Sequence, residues 1–180
     1  MISLAMIVKD EEILLPSLLE HVAPYVAEIV IVDTGSTDHT VQYAREFTDK
    51  VYEHPLDGDF AGARNYGLER TTMPWILHLD ADEWPMTDLL EWFGRLVGEE
   101  SFDAALCLIE NRIDGEPVPG RFLEWHCRFF RRKYRFIRKI HEIPDTRGAR
   151  MIQAPQDLRI LHYKPTARQQ EQNARYATWT

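Results

Sequence analysis

The sharpest chemical feature of the sequence is Asp80-Ala81-Asp82-Glu83, three carboxylates in four positions directly after the apolar run Trp75-Ile76-Leu77-His78-Leu79. Residues i and i+2 of an extended chain point the same way, so Asp80 and Asp82 at a strand end project toward one spot. Carboxylates that close ionise together only when they are solvated or face a cation. A hard divalent ion takes carboxylate oxygens and fills its other positions with water and substrate phosphates. The plainer reading is an acidic turn capping a helix that begins near Pro85. Asp33 ends a second apolar run, Glu28-Ile29-Val30-Ile31-Val32. Where strands alternate with helices, ligands gather outside the carboxyl ends of the strands, so Asp33 and Asp80 share one rim. A carboxylate that merely caps its own strand–helix turn would look the same in sequence.

Farther along, His141-Glu142 follows an Arg-rich stretch and His162-Tyr163 closes a late apolar run. Beside an acidic ion site His162 is a candidate ligand, although a lone histidine more often packs or sits on the surface. Glu142 is a candidate general base for an attacking hydroxyl. The chain has 21 Lys+Arg against 29 Asp+Glu, a net charge of −8, unevenly spread. Residues 1–120 hold 7 Lys+Arg against 24 Asp+Glu; residues 121–150 hold 10 against 3. An acidic front with a basic block behind it can hold a cation on one side and a phosphate on the other. A solvated Arg-rich hairpin would account for the same charges. If phosphates bind, Arg64 and the block 121–139 are the candidates to neutralise them. No Gly-rich phosphate loop, zinc-type Cys pair or serine-nucleophile elbow is present in the sequence. An acidic chain without a nucleic-acid motif excludes nucleic acid as the expected partner.

The elements that must position these groups follow from periodicity. Residues 2–8, 28–32 and 75–79 suit buried parallel strands. Leu14, Leu15, Leu18, Leu19 and Val22 recur at helical spacing, with Pro16 in the first turn or at a kink. Further helices fall at 41–47, 60–70 and 89–97, the last stopped by Gly98, and 51–53 is a brief strand. Thr34 to Asp38 form a turn with capping chemistry. Beyond it the pattern predicts a strand at 102–109 and a loop at 111–121. A hairpin of 125–131 with 134–137 follows, then a strand at 158–163 and a polar helix at 166–179. The fold class is therefore α/β: a mixed, mostly parallel sheet flanked by helices, with a small antiparallel extension.

Length and composition agree. The 180 residues suit one domain, and 44% hydrophobic with 28% charged residues is an ordinary globular balance. Two cysteines, Cys107 and Cys127, are too few for a disulfide framework and point to a reducing compartment. No apolar run reaches the roughly 18 residues a membrane span needs. The N-terminal apolar run lacks a basic lead and meets Lys9-Asp10-Glu11-Glu12 at once, so a first strand is expected there and not a signal peptide.

The order of several segments resembles a family. Met6-Ile7-Val8-Lys9-Asp10-Glu11-Glu12, Ile31-Val32-Asp33-Thr34-Gly35-Ser36-Thr37-Asp38, Phe60-Ala61-Gly62-Ala63-Arg64-Asn65 and Leu79-Asp80-Ala81-Asp82-Glu83 resemble the family 2 glycosyltransferases of GT-A fold. The bacterial branch whose first strand reads MIVKNEE is the most similar. Arg128-Phe129-Phe130-Arg131, His141-Glu142 and Ile160-Leu161-His162-Tyr163 keep that branch's order. The resemblance covers nearly the whole chain. It implies one GT-A (Rossmann-like) domain over 1–180, with 1–98 as the nucleotide-binding half and 99–180 as the acceptor and catalytic half.

The resemblance also implies a metal-dependent, inverting transfer of a sugar from a nucleotide-diphosphate donor, a UDP-sugar first, to a saccharide, lipid-linked or protein acceptor. Ile7, Lys9, Glu11 and Asp33 would hold the base, and Arg64 and Asn65 would line the nucleotide pocket. Asp80 would lie near the ribose, Asp82 would bind Mn²⁺ or Mg²⁺, His162 would complete the metal site, and Glu142 would be the catalytic base. A cytoplasmic location is implied, with attachment to the inner membrane face and homo-oligomerisation left open. Asp10 stands where the branch has Asn, and the chain is short for the family, with little of the C-terminal region that shapes an acceptor site. Two other readings stay open. One is a nucleotidyltransferase, which would normally carry a Gly-rich basic loop where Lys9-Asp10-Glu11-Glu12 stands. The other is a module that binds a nucleotide sugar or a partner without turnover.

Overall fold

The computed structural model describes residues 1–164; the helix expected at 166–179 lies outside them. β1 (Ile2–Val8) is the hub of the first half. It is followed by α1 (Leu15–Val22), β2 (Glu28–Asp33), α2 (Thr40–Phe47), β3 (Val51–Glu53), α3 (Phe60–Leu68) and β4 (Trp75–His78). β1 pairs in parallel with β2 on one side and β4 on the other, and β2 pairs in parallel with β3. The chain thus winds outward from β1 to β3 and then returns to the far side of β1. That reversal opens a crevice at the carboxyl ends of β1 and β4.

Side-chain alternation explains why these strands read as unbroken apolar runs. Ile2, Leu4, Met6 and Val8 pack into one cluster with α1 and α4 (Thr87–Leu96), whereas Ala5 joins α3 in a second cluster on the opposite face. A strand covered on both faces must be apolar on both. In α1, Leu15, Leu18, Leu19 and Val22 are buried and Pro16 lies in the first turn, so it does not kink the helix.

The second half holds β5 (Glu83–Pro85), α4, β6 (Ala104–Ile113), β7 (Glu116–Pro117), β8 (Leu123–Arg131), β9 (Phe136–Ile137), β10 (Ile143–Pro144), β11 (Met151–Gln153) and β12 (Arg159–Lys164). Among the described residues the main sheet has ten strands, running β3-β2-β1-β4-β8-β6-β12-β5, with β7 and β11 also on β6. The expected mixed α/β sheet is present, and β8, β5 and β7 provide its antiparallel pairs.

Two local expectations are corrected. Residues 125–131 do not pair with 134–137; β8 lies between β4 and β6, and β9 pairs instead with β10. Phe129 stacks between Trp75 and Phe93, at 4.7 and 4.4 Å between ring centroids, while Phe130 enters the opposite cluster. Burying both neighbours needs a strand inside the sheet, which a two-stranded ribbon cannot offer. Residues 111–121 are not all loop. β6 runs to Ile113 and turns through Asp114 (φ 50°) and Gly115 (φ 85°) into β7. Two consecutive positive φ angles make the hairpin turn that Asp-Gly favours.

The buried Glu28 ties the start of β2 to the β3 and β4 approaches. It accepts from Ser3 Oγ, Lys50 Nζ, Thr72 N (2.7 Å) and Thr72 Oγ1 (2.9 Å). Burial alone would raise this carboxyl, but the Lys50, Ser3 and Thr72 hydrogen bonds outweigh it and hold the pKa at about 2. A depressed folded pKa adds stability above the unfolded value, and the gain disappears as pH falls through the folded one. Glu28→Gln is therefore expected to destabilise the fold by about 2 kcal/mol near neutrality, allowing for screening at the half-exposed Lys50. The gap to wild type should close between pH 4.5 and 2. Urea denaturation across that range checks it, and a pH-independent gap would contradict it.

Candidate functional site

A cavity of about 620 Å³ opens at the carboxyl ends of β1 and β4. Its first wall is the loop after β1, stitched to the loop after β2. Asp10 N donates to Ser36 Oγ (3.0 Å), Thr37 N to Asp10 Oδ1 (2.7 Å), Glu11 N to Thr40 Oγ1 (2.7 Å) and His39 N to Glu12 Oε2 (3.0 Å). Asp10 has φ 53°, a left-handed conformation that Asn and Asp enter far more readily than other side chains.

The second wall begins where β4 ends. Arg64, projecting from α3 and only 8% exposed, donates from Nη2 to Asp80 Oδ1 (2.9 Å), from Nε to Glu142 Oε1 (2.6 Å) and from Nη1 toward His78 Nδ1 (3.3 Å). Burial, with Arg64 and Arg128 close by, pushes His78 well below its usual pKa, so its imidazole is neutral and can accept from Arg64. Burial would raise Asp80, but the Arg64 and Arg128 guanidiniums hold it well below the usual carboxylate range.

Glu83, at the start of β5, is 2% exposed and meets Arg128 of β8 in a two-pronged pair at 2.6 and 2.9 Å. Glu83 also accepts from the backbone N of Asp80 (3.1 Å), which fixes the acidic turn. Burial works against charge on Arg128, but Glu83 and Asp80 overcome it and hold the guanidinium charged.

The third wall is β12. His162 Nε2 lies 3.4 Å from Asp82 Oδ2, and Lys164 Nζ lies 3.6 Å from the same oxygen. His162 Nδ1 meets Asn111 Oδ1 at 2.8 Å. That oxygen only accepts, so Nδ1 carries hydrogen and Nε2 is left to face Asp82. The donor chemistry of Asp82 and His162 fits Mn²⁺ or Mg²⁺ as two protein ligands. Among the described residues no three His, Cys, Asp or Glu side chains are grouped to cage an ion by themselves. Such an ion would rely on water and phosphate oxygens for its other positions, as Mg²⁺ commonly does.

The final element is the β9–β10 ribbon that carries Glu142. Asn65 grips it, donating to Phe136 O (2.9 Å) and accepting from Phe136 N (2.7 Å), and Phe60 N donates to Lys139 O (2.9 Å). His141, next to Glu142, has φ 56°.

Of the residues expected from sequence, Ile7, Lys9, Glu11, Arg64, Asp80, Asp82, Glu142 and His162 line this one cavity. Asp33 and Asn65 lie outside its lining. The Asp33 carboxylate accepts from Gly35 N and Ser36 N (both 3.1 Å) and so closes its own turn, and the Asn65 amide is committed to Phe136. Of the basic block 121–139, Arg121 and Arg128 reach the cavity. Others pair elsewhere: Arg131 lies over Trp75 and Lys133 meets Asp103. The sequence alone assigns no individual site role to Arg128, Glu83, Asn111 or Lys164. Arg128 carries a usable signal, being a guanidinium set between Cys127 and Phe129-Phe130 in an otherwise apolar stretch.

No described helix is long and apolar enough to cross a membrane. A TPR repeat-containing protein of Synechococcus elongatus is 36% identical over 148 residues, which cover 80% of this chain and 35% of that protein. The chain thus spans about a third of that relative. The S. aureus TarS structure (residues 1–349) with UDP-GlcNAc superposes with a TM-score of 0.67 at 18% identity, covering 91% of this chain and 58% of that 1–349 chain. Mycobacterium tuberculosis glucosyl-3-phosphoglycerate synthase, solved with Mn²⁺, UDP-glucose and phosphoglyceric acid, superposes with a TM-score of 0.52 at 22% identity, covering 61% and 43%. The glycosyl transferase family 2 model matches residues 3–155, and with the sheet order and the cavity at its switch point it establishes that this chain belongs to family 2 of the glycosyltransferases.

Proposed function

We propose that the protein transfers a sugar from a nucleoside-diphosphate donor, a UDP-sugar first, to an acceptor hydroxyl, with a divalent cation and with inversion at the anomeric carbon. The observation that carries this reading is the convergence of Asp82, His162, Arg128 and Glu142 on one cavity at the β1/β4 crevice. The similar TarS fold holding UDP-GlcNAc, and the mycobacterial synthase holding Mn²⁺ with UDP-glucose, support it.

Ile7, Lys9 and Glu11 take the base side, with Asp33 shaping the adjoining turn. Arg64 and Asp80 form the floor beneath the ribose, and Asn65 fixes the ribbon above it. Asp82 and His162 would hold Mn²⁺ or Mg²⁺. Such an ion, when bound, neutralises charge on the departing diphosphate as a Lewis acid. Arg128, locked on Glu83, adds fixed positive charge at the same rim without needing to reorganise. Glu142, with Oε1 held by Arg64, takes the proton of the acceptor hydroxyl on Oε2 as that oxygen attacks the anomeric carbon. The sugar passes through an oxocarbenium-like state, and one displacement inverts it. Residues 1–98 are the nucleotide-binding half and the remainder is the acceptor and catalytic half, the acceptor being a saccharide, a lipid-linked group or a protein.

Calorimetry with UDP, GDP, CDP and dTDP, with and without Mn²⁺, followed by assays of nucleotide-sugar hydrolysis, tests the reading. UDP is expected to bind more tightly with Mn²⁺. Asp82→Asn is expected to remove that metal-dependent part, a loss of at least about tenfold in affinity. Unchanged metal-dependent affinity would take Asp82 out of the site. Failure of every nucleotide to bind would reject the function, and pyrophosphate release from a nucleoside triphosphate would favour nucleotidyl transfer instead.

A further inference from the structure

Asp82 and Lys164 sit together deep in the cavity, their side chains 8% and 11% exposed. The strand dictates the pairing. His162 and Lys164 are i and i+2 on β12, so both point to one face. β12 is pinned on both edges, pairing His162 with Asn111 of β6 and with Glu83 of β5. One carboxylate oxygen of Asp82 therefore faces an imidazole at 3.4 Å and an ammonium at 3.6 Å.

The Asp82–Lys164 pair is looser than the two tight arginine pairs of the cavity. Arg64 meets Asp80 at 2.9 Å and Arg128 meets Glu83 at 2.6 Å. Both arginines are rigid forks with several fixed bonds, whereas a lysine ammonium is a point charge on a flexible stem and can change partner by rotating. A divalent ion arriving alone at Asp82 meets a like charge already beside the carboxylate. A diphosphate removes that conflict, because its oxygens can take both cations.

We propose that Lys164 is a built-in counter-cation for Asp82 that passes to the donor diphosphate, so that a divalent ion enters this site together with the nucleotide and not ahead of it. The inference rests on the nucleotide-and-metal reading above. Its thermodynamic content is a positive coupling between Mn²⁺ and UDP, which must be reciprocal.

The test is calorimetry on the full chain with three titrations: Mn²⁺ alone, UDP in EDTA, and UDP with saturating Mn²⁺. For wild type, Mn²⁺ alone is expected to bind at least about tenfold more weakly than it does in the presence of UDP. In Lys164→Gln, Mn²⁺ alone should bind about tenfold more tightly than to wild type, and UDP in EDTA about tenfold more weakly. Lys164→Arg keeps the charge beside Asp82 and should leave the affinity for Mn²⁺ alone within about threefold of wild type, which separates charge from a general disturbance of β12. Should the Gln variant not fold, Lys164→Met is read in its place against the Arg variant. If the neutral variant changes neither affinity, or only one of them, the proposal is overturned, because a single ammonium must serve both partners. Wild type that binds UDP with Mn²⁺ alongside an unaltered neutral variant defeats this inference alone. Wild type that binds no nucleotide defeats the functional reading as well.

Discussion

Glu142→Gln is expected to slow UDP release from a UDP-sugar by about 10²–10⁴-fold while leaving UDP affinity within about threefold of wild type. The amide has the same shape, and its carbonyl oxygen can still accept from Arg64 Nε, now 2.6 Å from Glu142 Oε1. The ribbon therefore stays in place, since Asn65 and Phe60 hold it independently. What disappears is the capacity to take a proton. Parallel measurement of turnover and of calorimetric UDP binding separates the two effects. Full transfer rate in the variant would remove Glu142 as the base, and an equal loss of UDP affinity would assign it to binding.

The second large effect is on stability. Arg128→Met removes the guanidinium that meets the 2%-exposed Glu83 in two-pronged fashion. Breaking a buried pair from one side leaves an uncompensated charge and typically costs about 3 to 5 kcal/mol. Most of that loss should be recovered by adding Glu83→Gln, because the double variant carries no stranded carboxylate. Burial already pushes Glu83 upward. Without Arg128 the carboxyl should protonate still more readily, so the defect should shrink as pH falls. Chemical denaturation of the single and double variants at several pH values measures this. A loss below about 1 kcal/mol would mean that water already solvates Glu83.

Much of this was legible because the signals were local. Val8, Asp33 and His78 end apolar runs, and burial on both faces of a strand writes itself as consecutive apolar residues. Asp33 and Asp80 could be set at one rim in advance because the β-α-β order fixes which strand ends lie together; the place of Arg64, on a helix, came from the resemblance and not from that order. What stayed hidden depends on partners distant in the chain. Arg128 pairs with Glu83 across 45 positions, and a tally of charge in 121–139 cannot separate it from Arg132, which binds Thr71 O. The false hairpin at 125–137 has the same origin. Two adjacent β-prone segments look like partners until the phenylalanines of the first prove to need both faces of a sheet. Asn65 shows a subtler limit: the resemblance sets it on the nucleotide pocket, yet its amide is committed to the backbone of Phe136.

The clasp between α3 and the β9–β10 ribbon bears on how such enzymes can be recombined. Phe60, Arg64 and Asn65 hold Lys139, Glu142 and Phe136, so one helix of the amino-terminal half carries the sockets for a segment far along the chain, Glu142 lying 78 positions beyond Arg64. A chimaera that imports a foreign ribbon without its matching helix would set the ribbon's carboxylate on the wrong mount. Crossovers that respect this clasp keep helix and ribbon from the same parent and exchange only what lies beyond Pro144.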